Sequence, residues 1–322
     1  MPEWLIERGI GETRAVLVEH GEIVESRIEL DGVIPAGSVV HARLVNNGTN
    51  GRNAIAIAEG GTEYLLPRGA PGVTQGATLN IEVTREGAPG TEPWKLPLGR
   101  ATDNEPHMLP PLAQRVGGRD LAFPGPFDEL GGLGWGDLID EARNGIVTFA
   151  GGELRLSVTP AMTLVDVDGY LEPEELTVLG GSEAARAIRR LDIGGSIGID
   201  LPTVKGKTAR QAGGAAIDAE LPQPFERTAV NGFGFVQIIR PRQRASLLEL
   251  AHDQPSFEAR ALLRRAAFEA PGSMRLVAHP AVIKFLEERT EWIGALARQV
   301  GGAIELRADA ALPISGGYAQ NL

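Results

Sequence analysis

Two apolar runs in this chain end in carboxylates, and their residue types suit metal chemistry. The first reads Thr163-Leu164-Val165-Asp166-Val167-Asp168-Gly169, and the second reads Gly194-Gly195-Ser196-Ile197-Gly198-Ile199-Asp200. Each has the composition of a buried strand, and each delivers Asp where such a strand emerges into solvent. A buried carboxylate is costly unless a cation or a hydrogen-bond donor meets it. Asp166, Asp168 and Asp200 converging from neighbouring strands would make a hard, oxygen-rich site for Mg²⁺ or Mn²⁺. The plainer reading is that each Asp caps the turn after its own strand. At the level of the residues both readings stand.

Two basic clusters follow apolar runs in this half of the chain. Lys205, Lys207 and Arg210 come soon after the second Asp run, and Arg240, Arg242 and Arg244 follow a later apolar run, Gly234 to Ile239. Each cluster is either a solvated face or a set of phosphate contacts, and a metal site flanked by cations suits a polyanion that is being cut. The net charge of −11 argues against sequence-blind binding of nucleic acid over the whole surface, but leaves room for a local groove. Trp94-Lys95 could stack on a base and hold a phosphate; the alternative is that Trp94 packs on its own domain. There is no Cys, which excludes disulfides, thiol catalysis and thiolate zinc. His20, His41, His107, His252 and His279 are scattered, so no structural zinc is expected. No run reaches the roughly 18 apolar residues of a membrane span. The opening Met1-Pro2-Glu3-Trp4 does not read as a signal peptide, so a cytoplasmic location is expected.

The elements that must position these residues follow from periodicity. The helix expected between the two Asp runs is capped by Ser182 and extends through Glu183 to Leu191. Strand, helix and strand of that length make a βαβ unit, so the two Asp strands should lie parallel, with their carboxylates at the ligand-binding ends. A helix over 128–144 and a hairpin around Gly151-Gly152 precede them. The sequence Gly234 to Arg240 predicts another strand. Further back, Ser38–Val45, Asn53–Ala58, Tyr64–Pro67 and Ala77–Val83 are short alternating strands of the kind that close a small, OB-fold-like barrel. The 42 Gly and 22 Pro imply many turns, and residues 86–126, dense in both, are the least patterned stretch.

This predicts a multi-domain α/β and β chain. A strand pair occupies 1–34, an OB-fold-like RNA-binding barrel 35–99, and a Pro/Gly-rich connector 100–127. A mixed α/β metal-binding catalytic core occupies 128–250. A small C-terminal α+β domain occupies 251–322, with helices over Phe257–Glu269 and Pro280–Arg298 and strands at Met274–Ala278 and Ala303–Arg307.

The order of these segments resembles the ribonuclease E/G family over most of the chain. Residues Thr13–Val18 and Glu22–Ile28 resemble its opening hairpin, and Ser38–Val83 its inserted OB-fold. Gly151–Gly169 and Leu191–Asp200 resemble its metal-binding core. Phe233-Gly234 with Arg240-Pro241-Arg242 resembles the end of that core, and Val277-Ala278-His279-Pro280 its small C-terminal domain. The resemblance implies a Mg²⁺-dependent endoribonuclease that hydrolyses single-stranded RNA in processing or decay. Its metal would be held by Asp166 and Asp200, with Asp168 standing where the family has Asn. Lys95, Lys205, Lys207, Arg240 and Arg242 are the expected RNA contacts. The chain departs from the family pattern at Tyr170 and Leu171, in place of Ser and Arg, at Thr203 and Gln237, in place of acids, and at Leu65 and either Ile55 or Ile57, in place of barrel aromatics. It lacks the paired Cys of the zinc link and most of the 5′-sensor region. Two further readings stay open: an RNA-binding protein of the same family with weak or lost catalysis, and an unrelated metal-dependent phosphoesterase or interaction module. A homodimer is left open.

Overall fold

The computed structural model describes residues 1–87 and 95–322. The chain opens with β1 (Glu3–Arg8), β2 (Glu12–Glu19) and β3 (Glu22–Leu30), an antiparallel sheet. The expected strand pair is therefore three strands, because Leu5 and Ile6 of β1 are buried as well. His20 and Gly21 both take positive φ, which fits the tight hairpin turn between β2 and β3.

Next come β4 (Val39–Asn46), β5 (Ala54–Ala58), β6 (Glu63–Leu66), β7 (Thr78–Arg85) and β8 (Leu98–Thr102). They close a barrel in the order β4-β5-β6-β8-β7, with β7 returning to β4. β6 and β8 are parallel and the other neighbours antiparallel. Alternate residues Leu44, Ala54, Ala56, Tyr64, Leu66, Ile81 and Val83 fill the interior. Gly99 lets β8 seat against this core, since a Cβ there would lie 2.9 Å from Leu66 Cδ2. The barrel thus runs to Thr102, past the boundary expected at residue 99. The connector is also more ordered than its composition suggests. It holds α1 (Leu112–Val116), with Leu112 buried, and β9 (Arg119–Asp120), which pairs with β1.

The central unit begins with α2 (Glu129–Gly132) and α3 (Trp135–Asn144). Then follow β10 (Ile146–Phe149), β11 (Gly152–Val158), β12 (Thr163–Gly169), α4 (Pro173–Arg190), β13 (Gly195–Asp200), α5 (Lys207–Glu220), β14 (Glu226–Arg227) and β15 (Phe235–Arg240). The sheet order is β10-β11-β12-β13-β15-β14. β12 and β13 form its parallel pair, as the βαβ reading requires. The helix between them starts at Pro173, so Ser182 lies inside it and its hydroxyl donates to Glu220 Oε1 at 3.3 Å instead of capping. Pro at the first turn and Glu174 and Glu175 beside it favour that earlier start. Gly180 and Gly181 are tolerated because the helix passes very close to its neighbours: a Cβ on Gly180 would lie 2.3 Å from Val167 Cγ1.

After α6 (Leu247–His252), whose Leu247, Leu248 and Leu250 pack in the central core, the C-terminal unit contains α7 (Gln254–Ala267), β16 (Met274–Ala278), α8 (Pro280–Glu287), α9 (Thr290–Val300), β17 (Ile304–Ala308) and β18 (Tyr318–Asn321). Its sheet order is β17-β16-β18. The single helix expected over Pro280–Arg298 is two, broken at Glu288-Arg289, where the Arg289 guanidinium lies 3.5 Å from the Phe285 ring centroid. A buried ion network binds this unit to the N-terminal sheet. Glu7 accepts from Arg264 at 2.8 and 3.0 Å and from Arg14 at 2.6 Å, and Glu12 accepts from Arg260 at 2.7 Å.

Candidate carboxylate site and its flanking cations

Alternation along β12 decides where its acids point. Val165 and Val167 are buried beneath α4, which leaves Leu164, Asp166 and Asp168 exposed on the opposite face. On β13, Ile197 and Ile199 are buried and Asp200 is exposed. In the parallel ladder Asp166 is the register partner of Asp200. Cross-strand partners share a face, so the neighbouring strands extend the surface. β11 contributes Glu153 opposite Asp168 and Arg155 opposite Asp166. β15 contributes Phe235 opposite Asp200 and Gln237 opposite Gly198. Gly198 leaves room for Phe235, whose Cζ would lie 2.6 Å from a Cβ at that position.

The three acids act on one another. Burial, then the charges of Asp168 and Asp200, push the Asp166 carboxyl above its ordinary range, and Arg155 opposes the rise. Among the described residues no three His, Asp or Glu side chains stand close enough together to hold a metal ion as they are. Mg²⁺ keeps several waters and needs only one or two protein carboxylates. The donor chemistry of the Asp166–Asp200 pair, with Asp168 on the same face, fits that requirement.

The expected cations divide into three groups. Lys205, in the loop after β13, and Lys207, opening α5, are exposed at the carboxyl end of β13, and neither has an ion-pair partner among the described residues. Arg210 shapes that loop by donating to the Val204 and Lys205 carbonyls. Arg242 and Lys95 come together at the other end of the sheet, lining one cavity. Arg240 is a correction. It shares its face of β15 with buried Val236 and Ile238, donates to the Ile193 carbonyl at 3.0 Å, and burial lowers its pKa. Its side chain is thus committed to the interior, away from the carboxylate face. Arg244 is likewise internal, paired with Asp192 at 2.5 Å. Trp94 lies outside the described residues.

No family model and no curated protein matches this chain. The site therefore rests on its own geometry. Sequence reasoning missed Glu153 and Arg155, although the alternation Glu153-Leu154-Arg155-Leu156 marks both as outward-facing. It also missed Ser196, whose hydroxyl accepts from Gln237 Nε2 at 3.0 Å. Tyr170, just after β12, and Phe233, just before β15, are 84% and 81% exposed near the acids. No described helix is long and apolar enough to cross a membrane.

Proposed function

We propose that this protein is a metal-dependent endoribonuclease of the ribonuclease E/G type, hydrolysing phosphodiester bonds of single-stranded RNA in the cytoplasm. One observation carries the reading: Asp166 and Asp200 are register partners on the parallel pair of strands, with Asp168 on the same open face. Ligands of open α/β sheets bind beyond the carboxyl ends of such strands. The barrel supports the reading, because its strand order, with third and fifth strands parallel, is that of an OB-fold, a frequent oligonucleotide binder.

Asp166 and Asp200 would hold Mg²⁺ or Mn²⁺ in a shell that keeps several waters, with Asp168 on the same face. A divalent ion there supplies a more acidic water and offsets the charge that builds on the phosphorane. Arg155, ion-paired with Glu153 at 2.5 Å, restrains the Asp166 side of the cluster. Lys205 and Lys207 attract backbone phosphate to the end of the sheet where the acids sit. Phe235 stands across from Asp200 on the same face, with its ring over Gly198.

A second reading, RNA binding with weak catalysis, is favoured by Leu171. The family has Arg at this place, whereas Leu171 packs into the core, with its Cδ1 2.4 Å from where a Cβ on Gly151 would lie. The deciding experiment uses an unstructured RNA with Mg²⁺ and with EDTA. Mg²⁺-dependent internal cleavage that is lost in Asp166→Asn supports the nuclease. Binding that persists in EDTA without any cleavage in Mg²⁺ supports the second reading.

A further inference from the structure

Where β12 and β13 begin, the structure has a cavity of about 100 Å³. One water needs only roughly 15 Å³ of such space, so a larger group fits. The lining includes Thr159, Ser196, Arg242, His252 and Lys95. It lies at the junction of barrel and core, near the point where the Glu86 amide donates to the Gln243 carbonyl at 2.8 Å.

Arg242 is the decisive side chain. Its Nη2 donates to Glu249, but its Nε is buried with no hydrogen-bond partner among the described residues. A buried donor without an acceptor is destabilising. Glu249, the acid lining the cavity, has both oxygens engaged: one takes Arg242, and the other takes the Ser246 amide and hydroxyl at 2.9 and 3.0 Å. Gly194 and Gly195 give the arginine its path across the start of the strand. A Cβ on Gly194 would lie 2.7 Å from the Pro241 carbonyl oxygen, and one on Gly195 would lie 3.4 Å from Arg242 Cδ. Together with the Ser196 hydroxyl and His252, the cavity presents donors and cationic groups to a small oxyanion.

We propose that this cavity is an oxyanion subsite that takes a phosphate of the bound RNA strand. Ser196 lies on the same face of β13 as Asp200, four residues away, or about 13 Å at roughly 3.3 Å per residue. A strand anchored there would be aligned along the face towards the carboxylates. The identity of the phosphate carrier rests on the RNA reading above; the oxyanion chemistry does not.

The test has two arms. In the first, inorganic phosphate is titrated calorimetrically at constant ionic strength into the wild type, Arg242→Lys and His252→Gln. Arg242→Lys keeps the charge facing Glu249 and removes the Nε donor, and should weaken phosphate binding about tenfold. His252→Gln, at an exposed position, should weaken it less and covers the case in which Arg242→Lys does not fold. Equal affinity in all three, or no phosphate binding by the wild type, overturns the subsite. In the second arm, a single neutral methylphosphonate linkage is moved along a short RNA, with binding read in EDTA. One position should reduce affinity in the wild type and cause no further reduction in Arg242→Lys. Phosphate binding with no sensitive position overturns the strand assignment and makes this a site for free phosphate. Mg²⁺-dependent cleavage with no phosphate binding sinks the subsite alone, and phosphate binding without RNA cleavage sinks the nuclease reading alone.

Discussion

Arg155 stands opposite Asp166 across the ladder between β11 and β12, and its guanidinium is held at 2.5 Å by Glu153. Among the described residues of these strands, Arg155 is the cation that faces Glu153, Asp166, Asp168 and Asp200 on a single open surface. That imbalance is what a divalent ion would relieve, and it makes the acids a burden on the fold when no ion is bound. Function and stability should pull in opposite directions at these positions.

Asp200→Asn should abolish Mg²⁺-dependent cleavage. In EDTA it should leave the protein as stable as the wild type or more so, by a few tenths of a kcal/mol, the scale of a relieved like-charge pair across strands. Added Mg²⁺ should raise the melting temperature of the wild type and not of the variant. Thermal melts in EDTA and Mg²⁺, run beside a gel-based cleavage assay, check both halves. A variant that cuts RNA at the wild-type rate would place the chemistry elsewhere.

Lys205 and Lys207 should matter through salt. If each ammonium holds a phosphate of a single strand, the double Ala variant should flatten the log–log dependence of RNA affinity on salt by about 0.7 for each phosphate it no longer neutralises. Arg240→Ala should differ in kind, because Arg240 donates to the Ile193 carbonyl inside the core. It should lower the unfolding midpoint and leave the salt slope alone. Affinities at three or four salt concentrations separate the two behaviours, and an unchanged slope in the lysine variant would make those ammoniums ordinary solvated charges.

The contrast between Arg240 and Arg242 shows what was legible in the sequence and what was not. Both sit in one basic run after a strand, and composition treats them alike. Which face each side chain takes depends on the pairing of β15 with β13, a tertiary fact. The Asp strands were readable because β-branched runs ending in acid carry their own period. The earlier start of α4 was hidden by Gly180 and Gly181, which look like helix breakers until Val167 and Gly213 are seen pressed against them. The capping box of Ser246 and Glu249 has the spacing Ser-x-x-Glu, but the elements expected from the sequence include no helix there. His252, which closes that short helix three residues beyond Glu249, carries no local mark of lying beside the cavity, because its place there depends on the Arg242–Glu249 pair.

Glu12 sets an acid limit on the fold. Burial, the largest influence, pushes its carboxyl up, but Arg14 and Arg260 together outweigh it and hold the pKa below the ordinary value of 4.5. A carboxyl depressed in the folded state contributes stability above its unfolded pKa, and that contribution is lost as pH falls through the folded value. The wild type should therefore lose stability from about pH 4.5 downward. Glu12→Gln leaves Arg14 and Arg260 buried without their shared partner and should cost about 3–5 kcal/mol near neutrality. Its stability should then fall less steeply in acid. Urea midpoints at neutral and acid pH give both numbers, and parallel acid limbs would mean that other carboxyls control acid unfolding.

The last prediction concerns the RNA end. A pocket that reads a terminal monophosphate needs several donors held rigidly and free to turn to it. Arg100 ends the barrel on β8, Arg115 and Arg119 lie between the barrel and the core, and each already faces carboxylate. Arg100 pairs with Glu82 at 2.6 Å, Arg115 with Glu29, and Arg119 with Glu129 at 2.9 Å and Glu3 at 3.5 Å. Arg115 is also anchored through its partner, since Glu29 accepts from the Leu112 amide at 3.0 Å as α1 begins. Turning any of these guanidiniums to a phosphate would break a pair that holds the segment to its neighbours. The protein should thus cut two RNAs that differ only in a 5′-phosphate or 5′-hydroxyl at rates within tenfold, equivalent to less than roughly 1.4 kcal/mol of transition-state discrimination. A larger preference, lost on Arg115→Ala and not on Arg242→Lys, would show that this segment gives up its internal pairs to read the RNA end.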